Sequence, residues 1–281
     1  MAEEPEVTVG LFGVGLLGSA IADRLTAAGR RWMGYDPARP DLAASPAAVL
    51  GKASTLIVCL PDSRHTARLL ESIEGPRTII DATTGDPAEM ADFAGRLAGK
   101  QIRYLDVTIG GSSDQLRAGT AILMAGAELA DFEANRPLLQ TLSDKIFHCG
   151  PPGAGAQMKL VFNLVLGLNR AALAEGLAFA ERRGLPLQQA LDILQSGPAA
   201  SRIMERKGPK MIDREYIPEA RLAQHHKDVR LILSEAAKNG LVLPLTEAHS
   251  LILSAAEALG YAESDNSALI EAYRNDSVVK P

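Results

Sequence analysis

Val7-Thr8-Val9-Gly10-Leu11-Phe12-Gly13-Val14-Gly15-Leu16-Leu17-Gly18-Ser19-Ala20-Ile21-Ala22-Asp23-Arg24-Leu25 reads as three consecutive pieces. The first six residues are apolar enough for a buried strand, and Ser19 onward reads as a helix. Between them Gly13, Val14, Gly15, Leu16, Leu17 and Gly18 spell G-x-G-x-x-G. Gly13 allows the tight turn, Gly15 brings the backbone up to a pyrophosphate, and Gly18 lets the helix pack close to the strand. The helix start then turns unpaired N–H groups and a positive dipole end toward that anion. Such a motif alone is a weak signal. A strand before it, a helix after it and an acid about 20 residues on make it a dinucleotide fingerprint.

The acid is Asp36, at the end of the strand Arg31-Trp32-Met33-Gly34-Tyr35-Asp36. A carboxylate there accepts a hydrogen bond from the ribose 2′-hydroxyl and repels a 2′-phosphate, so NAD is favoured over NADP. Arg39, three residues on, is able to turn toward a phosphate and keeps NADP as the alternative. Asp36 before Pro37 also reads as an ordinary turn residue.

Strand patterns continue at residues 55–60, 78–82, 102–107, 120–124 and 145–149, with helical patterns between them, for example 87–97 and 129–142. This alternation predicts an α/β doubly wound domain with a parallel sheet covered on both faces. The pattern changes at Gly150-Pro151-Pro152-Gly153, after which only helices are expected: 154–183, 187–195, 219–239, 245–259 and 267–274. The predicted division is therefore a nucleotide-binding domain over 1–152 and a smaller all-helical domain over 153–281, joined by a long helix. Leu160-Val161-Phe162-Asn163-Leu164-Val165-Leu166-Gly167-Leu168 makes that helix apolar all round, which predicts burial and a face packed on a partner subunit. Lys159, Asn163, Asn169, Arg170 and Glu175 interrupt it too often for a membrane span.

Composition narrows the classes. The 281 residues are 47% hydrophobic and 22% charged with a net charge of −5, so the clustered cationic face that nucleic acid requires is not expected. Met1-Ala2-Glu3-Glu4-Pro5-Glu6 has neither the basic nor the apolar region of a signal peptide. The two cysteines, Cys59 and Cys149, lack metal-ligand spacing and suit a reduced, cytoplasmic setting. His225-His226 are adjacent on a helix, point about 100° apart and do not chelate, so no metal is assigned.

Gly153-x-Gly155-x-x-x-Lys159-x-x-x-Asn163 carries the candidate chemistry. Lys159 and Asn163 are four apart on one helix, so they share a face. A helix start, burial and a nearby oxidised nicotinamide each lower a lysine's pKa from about 10.4. A lysine brought to roughly 7–8 relays a proton at neutral pH. Taken alone, the pair also reads as a solvated lysine beside a capping asparagine.

In chain order these motifs resemble the β-hydroxyacid dehydrogenase family, which includes 3-hydroxyisobutyrate dehydrogenase and tartronate semialdehyde reductase, over residues 7–274. The resemblance rests on Gly13–Gly18, on Leu60-Pro61, on Asp81-Ala82-Thr83-Thr84-Gly85-Asp86-Pro87, on Asp106-Val107-Thr108-Ile109-Gly110-Gly111-Ser112, on Lys159 with Asn163, and on Lys227-Asp228-Val229. It implies cofactor contacts at Leu60, Pro61, Thr83, Thr84 and Lys227, a substrate loop at Gly110, Gly111 and Ser112, and catalysis by Lys159 with Asn163. Three positions depart from the family pattern, one of them Ala220, where a phenylalanine is common seven residues before Lys227. Gly110 stands where a serine hydroxyl is usual, leaving a backbone nest for the substrate carboxylate, and Phe162 replaces the first of two asparagines. The activity implied is hydride transfer between NAD(P) and a small β-hydroxy acid or its semialdehyde, in a homodimer or homotetramer. An imine reductase-like enzyme and a catalytically silent dinucleotide-binding regulator are the alternatives; the first generally lacks the lysine.

Overall fold

The computed structural model describes residues 9–275; Met1–Glu6 and the first two residues of the expected opening strand, Val7 and Thr8, lie outside the described residues. The chain divides into two compact units between Lys159 and Leu160, inside the long helix rather than ahead of it.

The first unit runs β1 (Val9–Phe12), α1 (Leu16–Ala27), β2 (Trp32–Tyr35), α2 (Pro46–Leu50), β3 (Thr55–Val58), α3 (Ser63–Glu71), β4 (Arg77–Asp81), α4 (Pro87–Ala98), β5 (Ile102–Gly110), α5 (Ser113–Arg117), β6 (Ile122–Gly126), α6 (Leu129–Leu142) and β7 (Lys145–Gly150). One sheet holds all seven strands in the order β2-β1-β3-β4-β5-β6-β7. Neighbouring residues on a strand point to opposite faces. Leu11, Ile57 and Ile80 accordingly join one buried cluster with Ile21, Leu25 and Phe132. Phe12, Leu56 and Ile79 join another with Met90, Phe93 and Leu97. Both faces are covered, so the strands read as unbroken apolar runs rather than alternating ones.

The sheet is not parallel throughout: β5 and β6 pair antiparallel, while β6 and β7 pair parallel. The segment joining β5 to β6 holds only the short α5, less than the dozen or so residues a parallel crossover needs. This pairing carries β5 past the expected Val107, with Thr108 opposite Met124, Ile109 opposite Leu123 and Gly110 opposite Ile122. Gly110 is therefore the last residue of a strand, not part of a loop. On the other side, the order reverses between β1 and β3. In open α/β sheets ligands bind beyond the carboxyl ends of the strands at such a switch point. Here those ends are Gly13–Gly18 and Cys59-Leu60-Pro61.

The second unit contains α7 (Ala154–Arg182) beyond Lys159, then α8 (Leu187–Ser196), α9 (Arg202–Asp213), α10 (Leu222–Lys238), α11 (Pro244–Ala258), a 3-10 turn over Asn266–Leu269 and α12 (Ile270–Arg274). Leu173, Leu177, Leu191, Met211, Val229, Leu253 and Leu269 form its core. The helix α9 has no counterpart in the sequence reading. It contains Pro209, and a proline inside a pattern normally marks a helix end.

By length and hydropathy α7 is the one helix among the described residues that would suffice to cross a membrane. It is not buried all round, as its composition led us to expect. Ala156, Leu160, Leu173 and Leu177 are buried, but Val161, Val165 and Phe179 are more than half exposed.

Candidate active site

In the first unit the glycine turn has the shape the motif demands. Gly13 has φ +86°, and a side chain there would strike the backbone of Cys59. A side chain at Gly18 would strike the carbonyl of Gly13. Gly15 is the N-cap of α1 with no side-chain cap bond, and no heavy atom lies within 4 Å of where its Cβ would stand. Leu16 is half exposed beside it, whereas Leu17 packs on the core. An open glycine before uncapped helical N–H groups fits a dinucleotide diphosphate. Asp36 is tied to the same turn: its Oδ2 accepts from Val14 N at 2.7 Å and its Oδ1 from Ala38 N at 2.9 Å. Arg39 lies in a two-pronged pair with Asp41 at 2.8 and 2.7 Å, and these bonds hold the Asp41 carboxyl down at about 2.

The ends of β3 and β4 are laced together by Thr83. Its hydroxyl accepts from Leu60 N at 3.0 Å and from Thr66 Oγ1 at 3.3 Å. Its own N–H donates to Asp81 Oδ1 at 2.9 Å, and Tyr104 donates to Asp81 Oδ2 at 2.8 Å. Burial raises both the Asp81 and the Tyr104 pKa; the charge and hydrogen bond of Asp81 add to the rise of Tyr104, while the bonds from Thr83 and Tyr104 oppose that of Asp81. Thr83 is 1% exposed, so its hydroxyl is turned into this network. Thr84 is half-buried and Pro61 is exposed.

Beyond the antiparallel pair the same unit places Lys159. The residue is 8% exposed, and its Nζ donates to the carbonyl of Ile109 at 2.5 Å. The next residues are Gly110 and Gly111, the latter with φ +140°. Ser112 caps α5: its N–H donates to Gln115 Oε1 at 2.9 Å, and its Oγ accepts from Gln115 N at 3.3 Å. The expected three-residue nest thus has its third N–H engaged by the capping box. The turn that opens α7 is held by a residue to which the sequence reading assigned no role. Asp106, fully buried in β5, accepts from Gly153 N at 2.6 Å and from Ala156 N at 2.7 Å. Thr108 Oγ1 donates to Gly155 O at 3.0 Å. Burial pushes the Asp106 pKa up to about 7, against the pull of its two N–H donors.

In the second unit Asn163, one turn beyond Lys159 on α7, is 6% exposed and donates from Nδ2 to Asp228 Oδ2 at 2.9 Å. Lys227 Nζ lies 3.1 Å from Asp228 Oδ1, so the lysine is in an ion pair on its own helix. The adjacent histidines diverge, as their spacing requires. His226 Nδ1 sits 2.9 Å from Glu257 Oε2, while the His225 ring lies 5.2 Å from that of His249. His148 lies within β7 and its Nε2 is 2.8 Å from Ala127 O.

Each half of the chain matches a family of known proteins. Residues 8–150 match the family described as the NAD binding domain of 6-phosphogluconate dehydrogenase. Residues 153–273 match that described as the NAD-binding of NADP-dependent 3-hydroxyisobutyrate dehydrogenase. A 2-hydroxy-3-oxopropionate reductase of Escherichia coli (strain K12) is 30% identical, over 94% of this chain and 96% of its own length. Glyoxylate/succinic semialdehyde reductase 1 of Arabidopsis thaliana is 29% identical, over 95% and 98%. The crystal structure of a 3-hydroxyisobutyrate dehydrogenase from Salmonella typhimurium has the same fold, with a TM-score of 0.87 at 24% identity, covering 95% of this chain and 99% of that one. With both halves matched and the fingerprint intact in its geometry, the chain belongs to the β-hydroxyacid dehydrogenase family of NAD(P)-binding oxidoreductases.

Proposed function

We propose that this protein interconverts a small β-hydroxy acid and its semialdehyde, with Lys159 as the general acid and base. The observation that carries this reading is the buried Lys159 amine, 2.5 Å from Ile109 O beside Gly110 and Gly111, in the unit that also contains the glycine turn. Bound NAD(P) supplies the hydride acceptor or donor. The Gly13–Gly18 turn holds its diphosphate and Asp36 its ribose. NAD is favoured because a carboxylate repels a 2′-phosphate. NADP is the alternative, because the exposed Arg39–Asp41 pair is of a kind worth little.

The backbone at Gly110 and Gly111 holds the substrate carboxylate, and the Lys159 amine takes the alcohol proton in oxidation and returns one in reduction. Asn163, one helical turn on, holds the amine or the reacting oxygen. Lys227, paired with Asp228, contacts the cofactor. The 2-hydroxy-3-oxopropionate and glyoxylate/succinic semialdehyde reductases among the relatives support a short semialdehyde carrying a carboxylate as the carbonyl partner. Lys159 favours this reading over an imine reductase. The working form is a homodimer or homotetramer in the cytoplasm, where the thiols of Cys59 and Cys149 stay reduced.

The test is Lys159→Ala, assayed with 3-hydroxyisobutyrate, glycerate and the matching semialdehydes by NADH absorbance. Turnover is expected to fall 10²–10⁴-fold, the range for general acid–base catalysis, while NADH binding, read by fluorescence titration, survives. Turnover within a few-fold of wild type removes the role of Lys159. Total inactivity of the wild type with tight NADH binding replaces the reading with a silent dinucleotide-binding protein.

A further inference from the structure

The first turn of α7 is docked on β5 with little slack. Asp106 takes the N–H groups of Gly153 and Ala156, one on each carboxylate oxygen, and Thr108 donates to the carbonyl of Gly155 between them. A Cβ at Gly155 would stand 2.6 Å from the carbonyl oxygens of Asp106 and Met124 and 2.7 Å from Gly126 N. Three residues along β5 from Asp106, the carbonyl of Ile109 receives Lys159 Nζ. The same strand therefore anchors the helix start with two side chains and receives the helix's lysine on its backbone. The N-terminal N–H groups of a helix carry partial positive charge, and an ionised carboxylate on two of them offsets it.

We propose that Asp106 is the positioning residue for Lys159: its carboxylate clamps the first turn of α7, and losing its charge loosens the lysine from Ile109. The proposal rests on the reading of Lys159 as the acid and base. Asp106 acts through that lysine and touches no reactant. Its environment makes the clamp sensitive to pH. Burial lifts the carboxyl to about 7 against its two N–H donors, and the charge of Asp81 on β4 adds to the rise. The other titratable groups facing it are Tyr104, which donates to Asp81 from β5 itself, and Cys149 on β7. Above pH 7 the clamp is ionised and closed; below it, a protonated oxygen becomes a donor facing an N–H, and one of the two bonds is lost.

Two measurements on the apoprotein need no substrate. Amide hydrogen exchange of wild type, corrected for intrinsic rates, should show protection at Gly153 and Ala156 falling about tenfold as pH drops through 7, the factor for losing one buried bond of about 1.4 kcal/mol. In Asp106→Asn the protection should be low and independent of pH, and acetic anhydride footprinting should label Lys159 faster than in wild type. In the Asn variant kcat should fall with the KM for NADH unchanged. If Asp106→Asn does not fold, the wild-type exchange profile still decides. Flat protection through pH 7, or Lys159 labelling equal in the two proteins, overturns the proposal. Altered exchange and labelling with Lys159→Ala still active leave the clamp standing and remove only the lysine's catalytic role.

Discussion

Two glycines in the nucleotide-binding unit answer a methyl group in opposite ways, which separates folding from binding. Gly155→Ala sets a Cβ against three backbone atoms that belong to β5 and β6 and are not free to yield. Overpacking of this kind costs about 1–3 kcal/mol or more, so the melting temperature should fall, and turnover with it, because α7 would be pushed off Ile109. Gly15→Ala meets nothing within 4 Å. The melt should stay unchanged while NADH binding weakens, since the methyl group fills the space ahead of α1. A thermal scan and a fluorescence titration of the two variants check both statements. Gly13, Gly15 and Gly18 were legible in the sequence because their spacing is itself the geometry. Thr83 was legible as part of a motif, whereas the bonds its hydroxyl accepts from Leu60 and Thr66 in the interior were not. The clamp at Asp106 was invisible to local reading: its partners are 47 and 50 residues away, and only the sheet brings them together.

Elements were legible where their own periodicity governs them. The helix α6 matches its expected bounds, and the strands fall within a few residues of theirs. The misjudged elements depend on a partner. The end of β5 extends because β6 runs against it. The helix α9 survives Pro209 because tertiary contacts hold it, most plainly those of Lys207. That ammonium lies 2.8 and 2.9 Å from the two oxygens of Asp265, which also accepts from Glu219 N at 2.9 Å and from Ser267 Oγ at 2.8 Å. Burial works against both charges, pushing the Lys207 pKa down and the Asp265 pKa up. For Asp265 the nearby ammonium and its hydrogen bonds win and hold the carboxyl at about 2. A carboxyl depressed on folding stabilises above its unfolded value of about 3.9, and that contribution drains away as pH falls toward the folded value. Breaking one side of a buried pair strands the other charge, so Asp265→Asn should cost about 3–5 kcal/mol at pH 7. The gap from wild type should narrow from pH 4 downward. Melts followed by circular dichroism at pH 7 and pH 3 test it, and an equal gap at both would deny the carboxylate its role.

For the molecule as a whole, the change of pattern at Gly150–Gly153 marked two units, although the observed division falls within α7 after Lys159. That helix gives the last prediction. Met158, Val161, Val165 and Phe179 are each between 44% and 68% exposed. Spacings of three and four set the first three on one stripe, and Phe179, four turns past Val165, returns to nearly the same edge. Exposed apolar residues gathered on one edge mark a surface that something covers. A bilayer is a poor cover, because the same helix turns Lys159, Asn163 and Arg170 into protein, and Arg170, pushed down to about 10 by burial, still carries its charge at neutral pH. A second copy of the chain suits the stripe better. Wild type is therefore expected to elute from gel filtration as a dimer or larger species, and Val165→Asp, which places a charge in mid-stripe, as a monomer. NADH binding should persist in the variant, because the glycine turn belongs to the other unit. A wild type that elutes at monomer size would leave the exposed edge of α7 without this explanation.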